Sequence, residues 1–389
     1  MKNGHWRPLA AVGIIASGLC LLTAIFSLGL TEQNAASRDF IGYWAAGQQI
    51  AHGANPYDVG HVLRMEKAVG LGNLQIKITP SPPIGLALVI PLGFLGAKSG
   101  LVFWSVAQLA CLSIALWIVW LLEGKPSTRI HLFGYLFAPA LACLMAGQLG
   151  ILCLLGVSVF LLWHERQPFF AGAALLPLTL KPHLFLAVGL VLLFWVVWRR
   201  SPSILAGLVA AMAVSFGVVL LFDPEIWAQY TAMMRSNLMQ DRFAPTLSAY
   251  FRWDISPARV WLEYLPAATA CVWALWYFWT RRDRWNWIDH GLLVLLVSVM
   301  CAPYAWLTDE AVLLPAVLVG VYRAIEARRS LLPIAIFAAV ALIELYANVR
   351  ITSWYYTWTT PAWLGWYLYA TGSIAKGKSA DVGAAFQAG

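Results

Sequence analysis

Apolar residues form long runs along most of the chain, and charged residues gather in the short stretches between them. The stretches 9–30 and 204–222 contain no charged residue at all. A helix of about 20 apolar residues crosses the hydrocarbon core of a bilayer. Strands of a membrane barrel would instead alternate apolar and polar positions. The pattern therefore predicts an all-α membrane protein with many spanning helices.

The first apolar run, Leu9 to Leu30, follows Lys2 and Arg7 and is longer than the apolar part of an ordinary signal peptide. We interpret it as an uncleaved first helix with a cytoplasmic N-terminus. The pattern predicts a polytopic bundle of about 11 to 13 transmembrane helices, forming one integral membrane domain over 1–389. The later apolar segments are predicted at 82–96, 99–122, 130–146, 149–163, 169–180, 183–198, 203–222, 260–280, 286–303, 309–325, 331–349 and 361–373.

Two long polar stretches, 31–81 and 223–259, are predicted to be extracytoplasmic, and 374–389 is predicted to be a cytoplasmic tail. An odd number of full passes from a cytoplasmic N-terminus would leave that tail outside. One segment is therefore expected not to cross completely. The stretches around Met145–Gln148 and Leu180–Pro182 are the best candidates for a broken helix, since irregular backbone at membrane depth needs protein or water beside it.

Composition and charge narrow the classes of function. Hydrophobic residues make up 61% of the chain and charged residues 11%, which is more apolar surface than a soluble domain of this size hides. The net charge of +8 comes from basic clusters at 199–200, 281–284 and 323–329, a distribution typical of cytoplasmic anchors. The six cysteines show no CxxC spacing, and motifs for nucleotide hydrolysis or zinc chemistry are missing. We expect membrane lipids around the chain, and no metal, cofactor or nucleic acid.

The strongest candidate for chemistry is Asp39, in the polar stretch after the first helix. The residues from about Phe40 to Ile50 are predicted to be a short amphipathic segment. If they form a helix, Asp39 and Tyr43 lie one turn apart on one face. A carboxylate beside a hydroxyl at a membrane surface is suited to take a proton from an alcohol. Asp before a helix is also a standard N-cap. The local sequence leaves both interpretations open.

Two further polar groups are candidates for substrate binding. Asn55, Tyr57 and Asp58 form a turn in the first polar stretch, because Asn before Pro favours extended or turn geometry. Gln148 interrupts an apolar region and either binds a sugar hydroxyl or caps a broken helix.

Charged residues further along the chain are also candidates for substrate binding. Lys181, with His183 beside it, is a cation set between apolar runs; it either neutralises a phosphate or extends its ammonium group to the membrane surface. Asp309 is either a substrate ligand or an acid favoured at a helix start. Arg242 adds a cation in the second polar stretch.

Six short motifs occur in order along the chain: Asp39-Phe40 with Tyr43-Trp44 and Ala46-Gly47, Asn55-Pro56-Tyr57-Asp58, Pro82-Pro83 with Pro91-Leu92, Gly147-Gln148, Lys181-Pro182, and Pro303-Tyr304 with Trp306 and Asp309. This ordered set resembles the DUF2029 group of membrane glycosyltransferases, the GT87 family of the GT-C superfamily. The segment after Pro303 departs from the mannosyltransferase branch of that family, which tends to carry histidines where Leu307, Thr308 and Asp309 stand here.

The resemblance implies a GT-C-type bundle that takes a hexose or pentose, possible donors including mannose, from a polyprenyl-phosphate-linked sugar. The acceptor is a lipid or glycan at the outer face of the cytoplasmic membrane. Asp39 takes the role of catalytic base in an inverting transfer, and Lys181, helped by Arg242, stabilises the departing phosphate. Gln148, Tyr43 and Asp309 are expected to contact the sugar or the acceptor.

Two other classes of function remain open at this point. A transporter or lipid flippase would share the many helices, the polar breaks and a buried Lys181. Transporters often contain paired repeats with matching broken segments, and no second copy of the Asp39 or Lys181 segment occurs here. A non-catalytic scaffold would be indifferent to the loss of the Asp39 carboxylate.

Overall fold

A computed structural model describes residues 6–72, 81–236, 244–350 and 353–372, and every regular element in these ranges is helical. The short elements at 90–94, 130–136, 176–180, 182–184, 260–264, 282–284, 307–313 and 354–358 are 3-10 helices. The α-helices are α1 Trp6–Gly29, α2 Glu32–Ser37, α3 Phe40–Ala51, α4 Val59–Ala68, α5 Pro83–Leu86, α6 Ala97–Leu122, α7 Ala138–Ala146, α8 Gly150–Trp163, α9 Pro168–Ala173, α10 Leu186–Arg199, α11 Ser203–Phe222, α12 Ile226–Arg235, α13 Leu247–Tyr250, α14 Leu265–Arg281, α15 Leu292–Met300, α16 Leu314–Glu326, α17 Leu332–Tyr346 and α18 Thr359–Thr371.

The chain folds as two compact units. Unit 1 comprises Met1–Cys111, Leu144–Gln148 and Ala213–Gln240, and unit 2 comprises Leu112–Cys143, Leu149–Met212 and Asp241–Gly389. The Asp39 segment and Gln148 therefore belong to unit 1, whereas Lys181 and Asp309 belong to unit 2.

In unit 1, helix α3 packs closely on the 3-10 helix Ile90–Phe94. Gly47 and Gly93 make this approach possible, because a Cβ added to Gly93 would overlap the Gly47 carbonyl and lie 2.5 Å from the Ala51 Cβ. The indole of Trp44 and the amide of Gln48 each donate a 2.9 Å hydrogen bond to the Leu95 carbonyl. The two glycines thus allow α3 to approach the chain that follows α5, and the hydrogen bonds to Leu95 hold it there.

The first polar stretch is more ordered than a loop, since it contains α2, α3 and α4. The sequence predicts an amphipathic segment near Phe40–Ile50, and here the prediction is wrong. Ten of the twelve residues of α3 are buried, including Tyr43 and Trp44. Polar side chains on α3 find partners within unit 1, so the helix does not need a solvent-exposed face.

In unit 2, close packing again depends on small residues. A Cβ at Gly150 of α8 would overlap the Thr308 carbonyl, and one at Gly156 would lie 2.5 Å from the Ala174 carbonyl oxygen. The Ser298 hydroxyl of α15 donates to the Leu184 carbonyl at 2.8 Å. These contacts join α8 to the segments around Thr308 and Ala174, and they join α15 to the chain at Leu184.

Both predicted helix breaks are present. Helix α7 ends at Ala146, Gly147 has φ of +73°, and α8 begins at Gly150. On either side of Lys181 the chain forms 3-10 turns, Leu176–Leu180 and Pro182–Leu184.

By length and composition, α6 and α11 are the helices in the described ranges that are long and apolar enough to cross a membrane. Helix α11 also exposes large apolar side chains, with Leu221 at 85% of its full accessible surface, which calls for an apolar environment. The prediction of about 11 to 13 spans is not confirmed. Some predicted segments are divided: 82–96 becomes α5 and a 3-10 helix, and 169–180 becomes α9 and a 3-10 helix, because prolines such as Pro91 and Pro177 cannot donate the helical hydrogen bond.

We expect Gly93→Ala to destabilise the protein by about 1–3 kcal/mol, the usual cost of overfilling a packed contact. The new methyl group would overlap the Gly47 carbonyl and push α3 away. Thermal melting in detergent micelles measures this loss. Gly96→Ala is the matched control, since a Cβ there has no neighbour within 4 Å; equal melting temperatures for the two variants would contradict the packing argument.

Candidate functional site

Asp39, Tyr43 and Gln148 form one hydrogen-bonded group in unit 1. The Gln148 amide Nε2 donates to Asp39 Oδ2 at 2.7 Å, and the Tyr43 hydroxyl donates to Gln148 Oε1 at 2.9 Å. Tyr43 and Gln148 are buried, whereas Asp39 is half-buried. The carboxylate therefore stands at the accessible end of a buried polar chain.

The side chain of Asp39 does not cap α3. Asp39 is the residue before α3, but its side chain makes no capping hydrogen bond and its backbone has helical torsions (φ −64°, ψ −20°). Thr31 and Asp58, which precede α2 and α4, do cap with their side chains. The Asp39 carboxylate is directed to Gln148, not to the backbone amides of its own helix.

The backbone around Gln148 is fixed by helix α6. The indole of Trp104 donates to the Gly147 carbonyl at 2.9 Å, and the Gln108 side-chain amide donates to the Gln148 carbonyl. Trp104 also stacks on Tyr43, with ring centroids 6.0 Å apart. Sequence reasoning missed Trp104 and Gln108, although a glutamine within the apolar segment 99–122 is a usable signal.

Asn55, Tyr57 and Asp58 have structural partners in unit 1. Asn55 Oδ1 accepts from the Tyr57 amide at 2.8 Å, and the Tyr57 hydroxyl donates to the Ser81 carbonyl at 2.8 Å. Tyr57 packs on Tyr230 at 5.4 Å between ring centroids, and burial raises the pKa of its phenol. These contacts explain the turn without a ligand, and substrate binding by the three residues stays a prediction.

Asp58 is the N-cap of α4. Its carboxylate accepts from the backbone amides of Gly60 at 2.9 Å and His61 at 3.1 Å. The His61 amide and ring are the main cause of a lowered pKa of the Asp58 carboxyl. Capping thus accounts for the acid at this position.

Lys181 and Asp309 form an ion pair in unit 2. The Asp309 side chain is fully buried, and the Lys181 side chain is 13% exposed. Asp309 Oδ2 also accepts from the Trp306 amide at 3.0 Å, which caps the 3-10 helix Leu307–Leu313. The ammonium group therefore meets a buried carboxylate instead of reaching for the membrane surface, and Asp309 combines the helix-start role with that of a counter-ion.

The remaining predicted site residues are His183 and Arg242. The His183 ring lies 5.5 Å from the Tyr304 ring, and its buried Nε2 finds no hydrogen-bond partner in the part of the chain that the structure describes. Arg242 lies outside the described residues. Over the described ranges, no group of three His, Cys, Asp or Glu side chains is arranged as metal ligands.

Glu310 was not singled out from the sequence beyond its place at a helix start. Its carboxyl oxygens accept from the Thr359 hydroxyl at 2.6 Å and the Trp363 indole at 2.9 Å. These bonds join the 3-10 helix Leu307–Leu313 to α18. No local pattern in the sequence relates positions about fifty residues apart.

We expect Asp58→Ala to weaken hydrogen-exchange protection of the α4 amides at neutral pH, because Gly60 and His61 lose their acceptor. The pKa of Asp58 is lowered in the folded state, so its contribution is present at neutral pH and is lost as the pH falls through that lowered pKa. The difference from wild type should therefore shrink in acid. Asp58→Asn, which keeps a capping oxygen, is the control; a pH-independent difference for Asp58→Ala would contradict a charged cap.

We expect Lys181→Met to reduce the free energy of unfolding by about 3–5 kcal/mol, because it leaves the buried Asp309 carboxylate without its cation. Adding Asp309→Asn should recover a large part of this loss, since the amide oxygen can still accept from Trp306. Denaturant unfolding in micelles of wild type, both single variants and the double variant measures the coupling. Simple additivity of the two changes would show that the ion pair does not contribute.

Comparison with known proteins identifies the family. The model of glycosyltransferase family 87 matches residues 81–303, which is more than half of the 389-residue chain. Gln148 and Lys181 fall within the match, whereas Asp39 precedes it and Asp309 follows it. No curated protein and no solved structure matches the chain. The chain belongs to glycosyltransferase family 87, and it is a membrane-associated glycosyltransferase that moves a sugar from a donor to an acceptor.

Proposed function

We propose that the protein transfers a hexose or pentose from a polyprenyl-phosphate-linked donor to a lipid or glycan acceptor, with Asp39 as general base. The reaction takes place at the outer face of the cytoplasmic membrane and inverts the anomeric centre. The possible sugars include mannose. The observation that carries this proposal is the Asp39 carboxylate, which is half-buried, does not cap its helix and is held by Gln148.

The chemistry requires one proton acceptor and one leaving group. The acceptor hydroxyl oxygen forms a bond to the anomeric carbon while the bond from that carbon to the donor phosphate oxygen breaks. Asp39 takes the hydroxyl proton, and the phosphate leaves with the bonding electrons. A positioned base of this kind contributes roughly 10²- to 10⁴-fold to a rate.

Two features of unit 2 support a lipid-linked donor. A cavity of about 380 Å³ is lined almost wholly by apolar side chains and includes Thr179 and Pro182, which lie on either side of Lys181 in the chain. An apolar cavity suits a hydrocarbon chain. Lys181 does not line the cavity, but its ammonium group is a cation of the kind that binds a phosphate. The donor phosphate would share Lys181 with Asp309, and this sharing would leave the carboxylate partly neutralised throughout the reaction.

The other assignments are further candidates for substrate binding. Tyr43 and Asp309 are candidate contacts for the sugar or acceptor, His183 is a candidate aid to Lys181 at the phosphate, and Asn55, Tyr57 and Asp58 are candidate substrate-binding residues. Arg242 remains a candidate aid to Lys181.

We expect Asp39→Asn to lower the rate of sugar transfer by about 10²-fold or more, because the amide cannot accept the proton. The assay supplies purified protein with polyprenyl-phosphate sugars and a membrane lipid extract, and detects the glycosylated product. Glu32→Gln is the matched control, since Glu32 is an exposed acid in the same stretch. Full activity of Asp39→Asn would exclude Asp39 as the base, and solute movement into proteoliposomes without any transfer would favour a transporter.

A further inference from the structure

We infer that Gln148 is a positioning residue: its carboxamide orients the Asp39 carboxylate, and the helix break before it sets its place. This inference rests on the proposed role of Asp39 as base. It replaces the prediction that Gln148 binds the sugar. The contacts that carry it all lie within unit 1.

The direction of the Gln148 amide is determined by the Asp39 carboxylate. An ionised carboxylate only accepts hydrogen bonds, so the group that faces Asp39 Oδ2 at 2.7 Å must be the NH₂ end. A flipped amide would set its oxygen lone pairs against the carboxylate. The amide oxygen then faces the Tyr43 hydroxyl, which can donate or accept and here donates at 2.9 Å.

The backbone that carries Gln148 is fixed at successive carbonyls. Trp104 and Gln108 lie one turn apart on α6, and they donate to the carbonyls of Gly147 and Gln148, respectively. Side chains and backbone in such a buried arrangement lose little freedom when substrate arrives. The polar atoms of the break are thus bound by α6 and by Asp39 together.

Gly147 allows this break to approach the start of α3. Its φ of +73° is a left-handed torsion that glycine adopts without strain. A Cβ at this position would lie 2.7 Å from the Cβ of Phe40, the residue that follows Asp39. The close contact with Phe40 brings Gln148 within hydrogen-bond distance of the carboxylate.

A sugar ligand needs polar atoms that the substrate can reach, and the Gln148 carboxamide is largely enclosed. Its NH₂ group and its oxygen each bind a protein group, and only 7% of the residue's surface is exposed. Asp39 is the more accessible partner of the two. An effect of Gln148 on catalysis should therefore act through Asp39, as a change in rate with little change in binding.

The test compares Gln148→Glu, Gln148→Met and Tyr43→Phe in the sugar-transfer assay. Gln148→Met keeps the length but removes both hydrogen bonds, and we expect kcat to fall by about 10- to 100-fold with KM within about twofold of wild type. Tyr43→Phe releases only the amide oxygen, so its kcat should fall less. A methionine that raises KM and leaves kcat unchanged would make Gln148 a substrate ligand and overturn the inference, as would wild-type kinetics in all three variants.

Gln148→Glu gives a readout that a purely structural role would not change. A second carboxylate beside Asp39 disfavours the charged form of both acids, so the low-pH limb of the kcat/KM profile should move to higher pH. An unmoved limb in a protein that melts like wild type would overturn the inference. The Asp39→Asn assay separates the two proposals, because full activity there removes the base itself, whereas an inactive Asp39→Asn with unaffected Gln148 variants removes only the positioning role.

Discussion

The hydrogen bond between Gln148 and Asp39 spans 109 positions of sequence and is the contact on which the candidate site depends. A carboxylate acts more efficiently as a base when its orientation is fixed before the acceptor binds. In this protein the orientation comes from an amide that is itself held by Tyr43, and from a backbone that is held by α6. Asp39 lies just before α3, Gln148 lies in the helix break, and α6 holds the backbone of that break.

Small residues make this arrangement possible. At Gly147 a positive φ and the absence of a Cβ allow the helix break to approach α3. At Gly47 and Gly93 the absence of a Cβ allows α3 to approach the 3-10 helix beside it. Gly150 has a similar function within unit 2, where its backbone meets the Thr308 carbonyl. In apolar surroundings, polar groups gain most from short hydrogen bonds, and such bonds require backbones that approach closely.

The buried charged groups of unit 2 also have partners within the unit. Lys181 and Asp309 neutralise each other, and Glu310 is bound by Thr359 and Trp363. Charges buried without partners would be costly. The 3-10 helix Leu307–Leu313 therefore carries two acids whose partners come from different parts of the unit.

The sequence by itself determined the helical class, the positions of the two breaks and the membership of family 87, because hydropathy, proline and glycine act locally and the motifs are short. It also singled out Asp39 and Gln148 separately. Only the tertiary structure decided that they are partners, that Asp39 does not cap α3, and that α3 is buried where an amphipathic helix was expected. It also showed that apolar segments such as 82–96 are divided. These outcomes depend on contacts between residues far apart in the chain. The apolar pattern of one segment does not specify which distant side chains will contact that segment.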